Sequence, residues 1–254
     1  DAALASLPLL LLAPFNVLGQ ALVFSKLRAR LGGRFRFGVS GGGALPRYVD
    51  SFFSAAGILL LEGYGLTESA PIVSVRPSAA PVPGTIGPPV PEVEVKVVDE
   101  QGRVVGPGEK GVLFVRGPNV MQGYYKRPDL TSKVLSPDGW LDTGDLAVLT
   151  CRGEIKIIGR KKETIVLLGG ENIEPTPIEE TILESEYIDQ VMVVGQDKRF
   201  LGAIVVPNFE ALAEYAKVNG IVGNGPRSLI ERSEIVEHIR SEIEARVNLK
   251  TGFK

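Results

Sequence analysis

The spacing of apolar and polar positions changes character twice along the 254 residues, and the changes divide the chain into three zones. In residues 1–80, Arg34-Phe35-Arg36-Phe37-Gly38-Val39 alternates as a strand does. Ser40-Gly41-Gly42-Gly43 breaks it, and Pro46 suits the first turn of a helix, with Tyr48, Phe52 and Phe53 as apolar anchors. Ile58-Leu59-Leu60-Leu61 reads as a short buried strand that ends in Glu62-Gly63-Tyr64-Gly65-Leu66-Thr67-Glu68-Ser69. A strand, a helix and a strand in that order predict a parallel pair.

Residues 81–161 predict a β-rich zone. Val93, Val95 and Val97 alternate with charges, Asp99 to Gly102 is a turn, and Gly111 to Val115 is a strand. Ala147-Val148-Leu149 and Ile155-Lys156-Ile157-Ile158 flank Arg152-Gly153 as a hairpin. Residues 162–254 mix elements. Thr164 to Leu168 reads as a strand, and Thr176-Pro177-Ile178-Glu179 as a capping box with proline at the first helical position. Val191 to Val194 and Ala203 to Val206 are strands around the turn Gln196-Asp197-Lys198. Ile235, Ile239, Ile243 and Val247 mark one helix face. The polar corner Arg160-Lys161-Lys162-Glu163 is a candidate joint between domains.

Composition narrows the function classes. Lys and Arg total 28 against 30 Asp and Glu, a formal net charge of -2, and no basic run offers an electrostatic footprint for nucleic acid. The lone Cys151 excludes an internal disulfide and a cysteine-cluster zinc site, and the lone His238 excludes a multi-histidine metal site. Cys151 reads as structural and His238 as part of a solvated helix surface. Ala2 to Ser25 carries no charge, but Pro8, Pro14, Asn16 and Gln20 interrupt it and no basic residue precedes it. A buried or poorly supported helix is expected there rather than a membrane span. A cytoplasmic location is expected, with peripheral membrane contact and a homodimer left open. Asp1 in place of Met suggests an excised piece.

Both glycine-rich breaks fall at the carboxyl edge of the parallel pair, where ligands bind in α/β sheets. Gly41, Gly42 and Gly43, with Gly63 and Gly65, let the backbone turn and a ligand approach closely. Tyr64 between two glycines can offer a ring face to a purine, Thr67 a hydroxyl to phosphate, and Glu68 a hard oxygen to Mg²⁺. The same residues also fit a pair of tight turns with a capping threonine and a glutamate facing a helix dipole. In Gly139-Trp140-Leu141-Asp142-Thr143-Gly144-Asp145, the Asp145 carboxylate can hold a ribose diol, and Arg160 can reach a ribose or phosphate as a forked donor. A turn with a tryptophan anchor and a solvated basic corner are the alternatives there.

Together and in this order, Ser40–Pro46, Glu62–Ser69, Gly84-Thr85-Ile86-Gly87, Gly123-Tyr124, Gly139–Asp145, Gly159–Glu163 and Gly169–Pro175 resemble the successive core motifs of the adenylate-forming superfamily. That superfamily holds acyl-CoA synthetases, luciferases and peptide-synthetase adenylation domains. Gly170-Glu171-Asn172-Ile173-Glu174-Pro175 and Leu31-Gly32-Gly33-Arg34 look most like the long-chain fatty acyl-CoA synthetase branch.

The resemblance implies an α/β fold: the distal part of a large adenylation domain, with a parallel α/β unit (1–80) and a β-barrel-like subdomain (81–161), then a small mobile α+β C-terminal domain (162–254). It implies activation of a fatty acid by ATP and Mg²⁺ to an acyl adenylate, then transfer to coenzyme A. By motif, Gly41, Gly42 and Gly43 would line the adenine and acyl pocket, and Glu62, Gly63, Tyr64 and Gly65 would frame adenine. Thr67 would touch the α-phosphate, Glu68 would hold Mg²⁺, Asp145 the ribose, and Arg160 would support it. Lys162 would be the hinge between two half-reactions, and Gly169 would lie near the coenzyme A channel.

The departures are as specific as the matches. The family's phosphate loop belongs upstream of Ala2, and its adenylation lysine beyond Lys254; neither Lys250 nor Lys254 takes that role. Val166 and Leu168 stand where a lysine can occur in some relatives. A partial chain, inactive alone, is therefore expected. Another carboxylic-acid adenylating ligase, a noncatalytic nucleotide- or acyl-binding module, or a structural fragment are the competing readings.

Overall fold

A computed structural model describes residues 19–223 and 225–251. Most of the uncharged N-terminal stretch thus lies outside the described residues. No helix among the described residues is long and apolar enough to cross a membrane. Helix α1 (Ser25–Arg30) follows a single π-helical turn, Gln20–Phe24.

Strands β1 (Gly38–Ser40), β2 (Leu60–Gly65) and β3 (Ile72–Val75) form one sheet in that order. β1 runs parallel to β2, with Gly38 opposite Leu60, as the strand–helix–strand pattern requires. β3 returns antiparallel beside β2. The first strand starts later than the alternation predicts: Phe35 folds over Gly38, where an added Cβ would lie 3.2 Å from its ring, and Phe35 and Phe37 stay 45% and 50% exposed. Helix α2 (Arg47–Ala55) links β1 to β2, with Pro46 as its N-cap rather than its first helical residue. Its expected anchors Tyr48 and Phe52 are half exposed, and the residue it buries is Asp50.

An ion network explains that burial. The Arg76 guanidinium, 1% exposed, donates to both Asp50 carboxylate oxygens at 3.0 and 2.9 Å. It also donates to Glu62 Oε2 at 3.0 Å and, through Nε, to the Thr85 carbonyl at 2.9 Å. One arginine thereby ties α2, β2, the end of β3 and the 81–88 loop together. A buried charge of this kind is tolerated only when it is fully paired and hydrogen-bonded.

The β-rich zone forms an open antiparallel sheet: β4 (Glu94–Val98), β5 (Lys110–Arg116), β6 (Leu141–Leu149) and β7 (Ile155–Arg160), in that order. This sheet is the barrel-like zone, and among the described residues it does not close on itself. Backbone bonds from segment 86–90 instead stitch the β7 edge to β3: Ile86 N–H donates to Ile155 O and Ile155 N–H to Gly87 O, while Val90 N–H donates to Val73 O. Val73, Ile86, Val97, Leu113, Val115 and Ile155 thus share one core with both sheets. The Arg152-Gly153 hairpin forms as its spacing predicts, with Gly153 at φ 83° and Cys151 exposed at the tip. Helix α3 (Pro128–Val134) is short.

After a 3₁₀ turn at Lys161–Glu163 come β8 (Ile165–Val166), β9 (Asn172–Ile173), α4 (Pro175–Ile182), β10 (Ile188–Val194) and β11 (Gly202–Pro207). Helices α5 (Phe209–Val218), α6 (Pro226–Ile230) and α7 (Ser233–Thr251) complete the order. β8 is shorter than the predicted Thr164–Leu168 strand. The predicted capping box does not form. α4 begins two residues earlier, with Pro175 at its first position and Glu174 as N-cap, and Glu179 Oε1 accepts from Val193 N–H, tying the helix to β10. On α7, Ile235 is fully buried and Ile239, Ile243 and Val247 pack against the small core, as their four-residue spacing predicts. His238 departs from its solvated-surface expectation: it stacks on Tyr215, ring centroids 3.8 Å apart, and meets Tyr187 edge-on. Helix α5 brings Tyr215 there, and sequence spacing on α7 alone carries no sign of it.

Candidate functional site

The carboxyl end of β2 is shaped by a close backbone approach. A Cβ on Gly65 would lie 1.8 Å from the Pro71 carbonyl oxygen, so only glycine fits. The chain then makes the 3₁₀ turn Thr67–Ser69, locked by the fully buried Ser69, whose hydroxyl donates to Pro71 O at 2.7 Å. Thr67 is left exposed and Glu68 half-buried. Met121 N–H donates to the Glu68 carbonyl at 2.8 Å, and the Tyr124 hydroxyl donates to Glu68 Oε1 at 2.7 Å.

The second half of the site comes from the four-stranded sheet. Asp145 on β6 stands opposite Arg160 on β7. Upstream, the Thr143 hydroxyl donates to Leu113 O, and Asp145 N–H donates back to that hydroxyl, which fixes the local turn. The Asp145 carboxylate, on a residue only 6% exposed, accepts from Arg160 Nε at 2.8 Å through Oδ1 and from the Tyr64 hydroxyl at 2.5 Å through Oδ2. Burial first, and then the Asp145 charge, hold the Tyr64 phenol well above the ordinary tyrosine range, so it stays a donor. The hydrogen bond to Asp145 likewise raises the Arg160 guanidinium above its usual value.

The two glycine-rich breaks adjoin. A Cβ on Gly41 would meet the Gly63 carbonyl oxygen at 3.1 Å, and Gly42 takes φ 85°, which favours glycine. Glu62 closes the far side: its Oε1 accepts from Leu45 N–H at 3.0 Å and its Oε2 from Arg76, so both oxygens serve the scaffold that holds the Gly41–Gly43 loop. Burial raises the Glu62 carboxyl above its ordinary value.

A cavity of about 610 Å³ opens between the turn after β2, segment 121–124 and the β6–β7 pair, lined by Leu66, Glu68, Tyr124, Thr143, Arg160 and Lys162 among others; Gly41–Gly43, Glu62–Gly65, Thr67 and Asp145 are not among its lining residues. Glu68, Arg160 and Lys162 are thereby brought to one concavity, and Asp145 and Tyr64 meet behind Arg160. Gly169 is exposed and not among the residues lining that cavity. No cluster of three or more potential metal-ligating side chains exists among the described residues. Glu68 nevertheless suits Mg²⁺, which is commonly held by one or two carboxylates together with substrate phosphates. One of its oxygens is engaged by Tyr124, and the same carboxylate lines the cavity.

Sequence reasoning missed Arg76 and Asp50, whose pairing joins elements 26 residues apart with no periodic signal. It also gave Tyr124 no role; its place directly after Gly123 in a quoted motif was the only pointer.

The family model for AMP-binding enzymes matches residues 7–125, and the model for the C-terminal domain of AMP-binding enzymes matches residues 162–246. A chloroplastic long-chain-fatty-acid–[acyl-carrier-protein] ligase of Arabidopsis thaliana is 46% identical over 211 residues, covering 79% of this chain and 29% of the relative. The human long-chain-fatty-acid–CoA ligase 1 is 40% identical over 213 residues, covering 82% of this chain and 30% of the relative. The chain therefore spans less than a third of these curated relatives. Among solved structures, ATP-bound MatB from Rhodopseudomonas palustris superposes with a TM-score of 0.62 at 34% identity, over 68% of this chain and 35% of that one.

Proposed function

Because the chain belongs to the AMP-binding enzyme family, we propose that it forms the adenylate-holding part of an acid–thiol ligase acting on fatty acids. The reaction is ATP-dependent activation of the carboxylate to an acyl adenylate with release of pyrophosphate. The acyl group then passes to the thiol of coenzyme A, leaving AMP.

One observation carries the adenosine reading: a buried carboxylate, Asp145, is fixed from both sides by Tyr64 and Arg160 beside the cavity. A carboxylate offers about four acceptor positions, so two remain for the hydroxyls of a ribose. On this reading Tyr64 carries the adenine ring, and Gly41, Gly42, Gly43, Gly63 and Gly65 let the ligand approach the backbone. Glu62 acts through Leu45, holding that loop in place. The Thr67 hydroxyl meets the α-phosphate and Glu68 holds the magnesium ion, whose charge offsets that of the phosphates. Residues 1–80 and 81–161 are two parts of one large domain. Residues 162–254 form the small domain that turns about Lys162 and brings Gly169 to the coenzyme A channel.

The identity to an acyl-carrier-protein ligase favours a second acceptor, the thiol of acyl carrier protein. Calorimetric titration with a non-hydrolysable fatty acyl-adenylate analogue tests the adenylate reading. Saturable binding, weakened about tenfold or more by Asp145→Ala, supports it, because hydrogen bonds to a charged group contribute about 1.5–3 kcal/mol. Equal binding by wild type and variant refutes it. Offering coenzyme A and acyl carrier protein side by side separates the two acceptors.

A further inference from the structure

The half-buried carboxylate of Glu68 is braced by a device that the reading above does not use. Two tethers join the Thr67–Ser69 turn to segment 121–124. One is main-chain, Met121 N–H to Glu68 O at 2.8 Å; the other is side-chain, Tyr124 Oη to Glu68 Oε1 at 2.7 Å. Tyr124 is itself held in place. Its N–H donates to Thr131 Oγ1 at 2.9 Å, and that hydroxyl donates to Arg127 O at 2.9 Å. The residue before it, Gly123, takes φ 144°, and a Cβ there would stand 2.8 Å from Thr131 Cγ2. The start of α3 thus sets the position of the phenol, and the phenol sets the carboxylate.

We propose that Tyr124 is the positioning residue for the divalent cation of this site, acting through Glu68. The inference rests on the assignment of Glu68 to Mg²⁺ made above. A free glutamate side chain has about 1.5–2 kcal/mol of rotamer entropy to lose when it is ordered on a ligand. The phenol removes much of that freedom before the cation arrives. It occupies a single lone pair of Oε1, so the carboxylate keeps its charge and most of its acceptor positions. Partners of this kind, one bond removed from a metal, typically change metal affinity by about 10–100-fold when deleted.

The test is the Mg²⁺ dependence of ATP binding, read by calorimetry with no turnover required. Tyr124→Phe removes one hydroxyl and leaves the ring. It should raise the Mg²⁺ concentration needed for half-maximal enhancement of ATP binding by about tenfold. ATP affinity without Mg²⁺ and the urea unfolding midpoint should stay close to wild type. Tyr125→Phe, at a neighbour 85% exposed, serves as the control and should change nothing. Glu68→Gln separates the two layers of the argument. If it abolishes the Mg²⁺ enhancement while Tyr124→Phe leaves it intact, the role of Tyr124 is refuted and the role of Glu68 stands. If Glu68→Gln leaves the enhancement intact, the assignment of Glu68 fails first and this inference with it. A Tyr124→Phe protein that loses Mg²⁺-free binding and unfolds early also overturns the proposal, because the hydroxyl would then serve the fold alone.

Discussion

The Tyr64 hydroxyl donates to Asp145 Oδ2 at 2.5 Å across 81 residues of sequence. It joins the carboxyl end of β2, in the three-stranded sheet, to β6, in the four-stranded one. Arg160 holds the other oxygen of the same carboxylate, so the three side chains form one unit at the seam of the two sheets. The seam is therefore where both sheets contribute to the site.

Tyr64→Phe should destabilise the protein by about 2 kcal/mol, because a hydrogen bond to a charged group is lost while the ring still packs. Tyr64→Ala should cost more and weaken adenine nucleotide binding further than Tyr64→Phe does. Chemical denaturation and nucleotide titration of both variants check this order; a larger binding defect in Tyr64→Phe would contradict it.

Two raised acid pKa values make opposite ends of the pH range informative. The Tyr64 phenol lies above its ordinary value, so the folded protein keeps a proton that the unfolded chain gives up. Stability from this source is present below about pH 10 and is lost as pH rises beyond it. Tyr64→Phe should flatten that alkaline decline. Glu180 is raised above 4.5, first by burial, with Arg47 and Lys156 opposing and Glu62 adding to the shift. Its contribution is present below that value and is lost as pH rises through the folded one. Glu180→Gln should therefore gain on wild type between pH 4 and pH 7, as measured by unfolding free energy at each pH.

Arg76→Met should destabilise by about 3–5 kcal/mol, the usual cost of leaving buried charges unpaired. Here Asp50 and Glu62 would face each other without a cation. Adding Asp50→Asn should recover part of that loss, since one of the two orphaned carboxylates is then neutral. Urea midpoints of the single and double variants decide it; no recovery would mean that the two acids are not coupled through Arg76.

Two glycines near and far from the site should behave differently. At Gly65 an added Cβ would collide with backbone at Pro71, so Gly65→Ala must displace the loop that carries Thr67 and Glu68. At Gly153 the surroundings are open and only φ 83° is unfavourable. Gly153→Ala should cost about 1–2 kcal/mol by strain alone. Gly65→Ala should exceed that and lower nucleotide binding as well. Similar thermal shifts in the two variants would argue against the close approach at Gly65.

Local pattern in the amino-acid sequence determined a good deal. The parallel pairing of β1 with β2, the hairpin at Arg152-Gly153 and the inward face of α7 at Ile235, Ile239, Ile243 and Val247 were all readable. Each depends on the side-chain period of an element or on the few residues that can make a turn, and both are local properties. The ordered motifs likewise identified the family, since each preserves a short backbone shape.

Tertiary structure alone decided the rest. Asp50 is buried on α2 because Arg76 reaches it from the end of β3, and His238 is stacked because α5 brings Tyr215 beside it. Glu179 bonds to Val193 on β10 instead of closing a capping box. Segment 86–90 stitches the edge of the four-stranded sheet to β3. Even within the site, the motifs named Asp145 and Tyr64 separately, and only folding showed one holding the other. The physical reason is common to all of these. Hydrogen bonds and ion pairs between distant segments depend on distance and on exclusion of water, and neither leaves a period or a spacing in the chain.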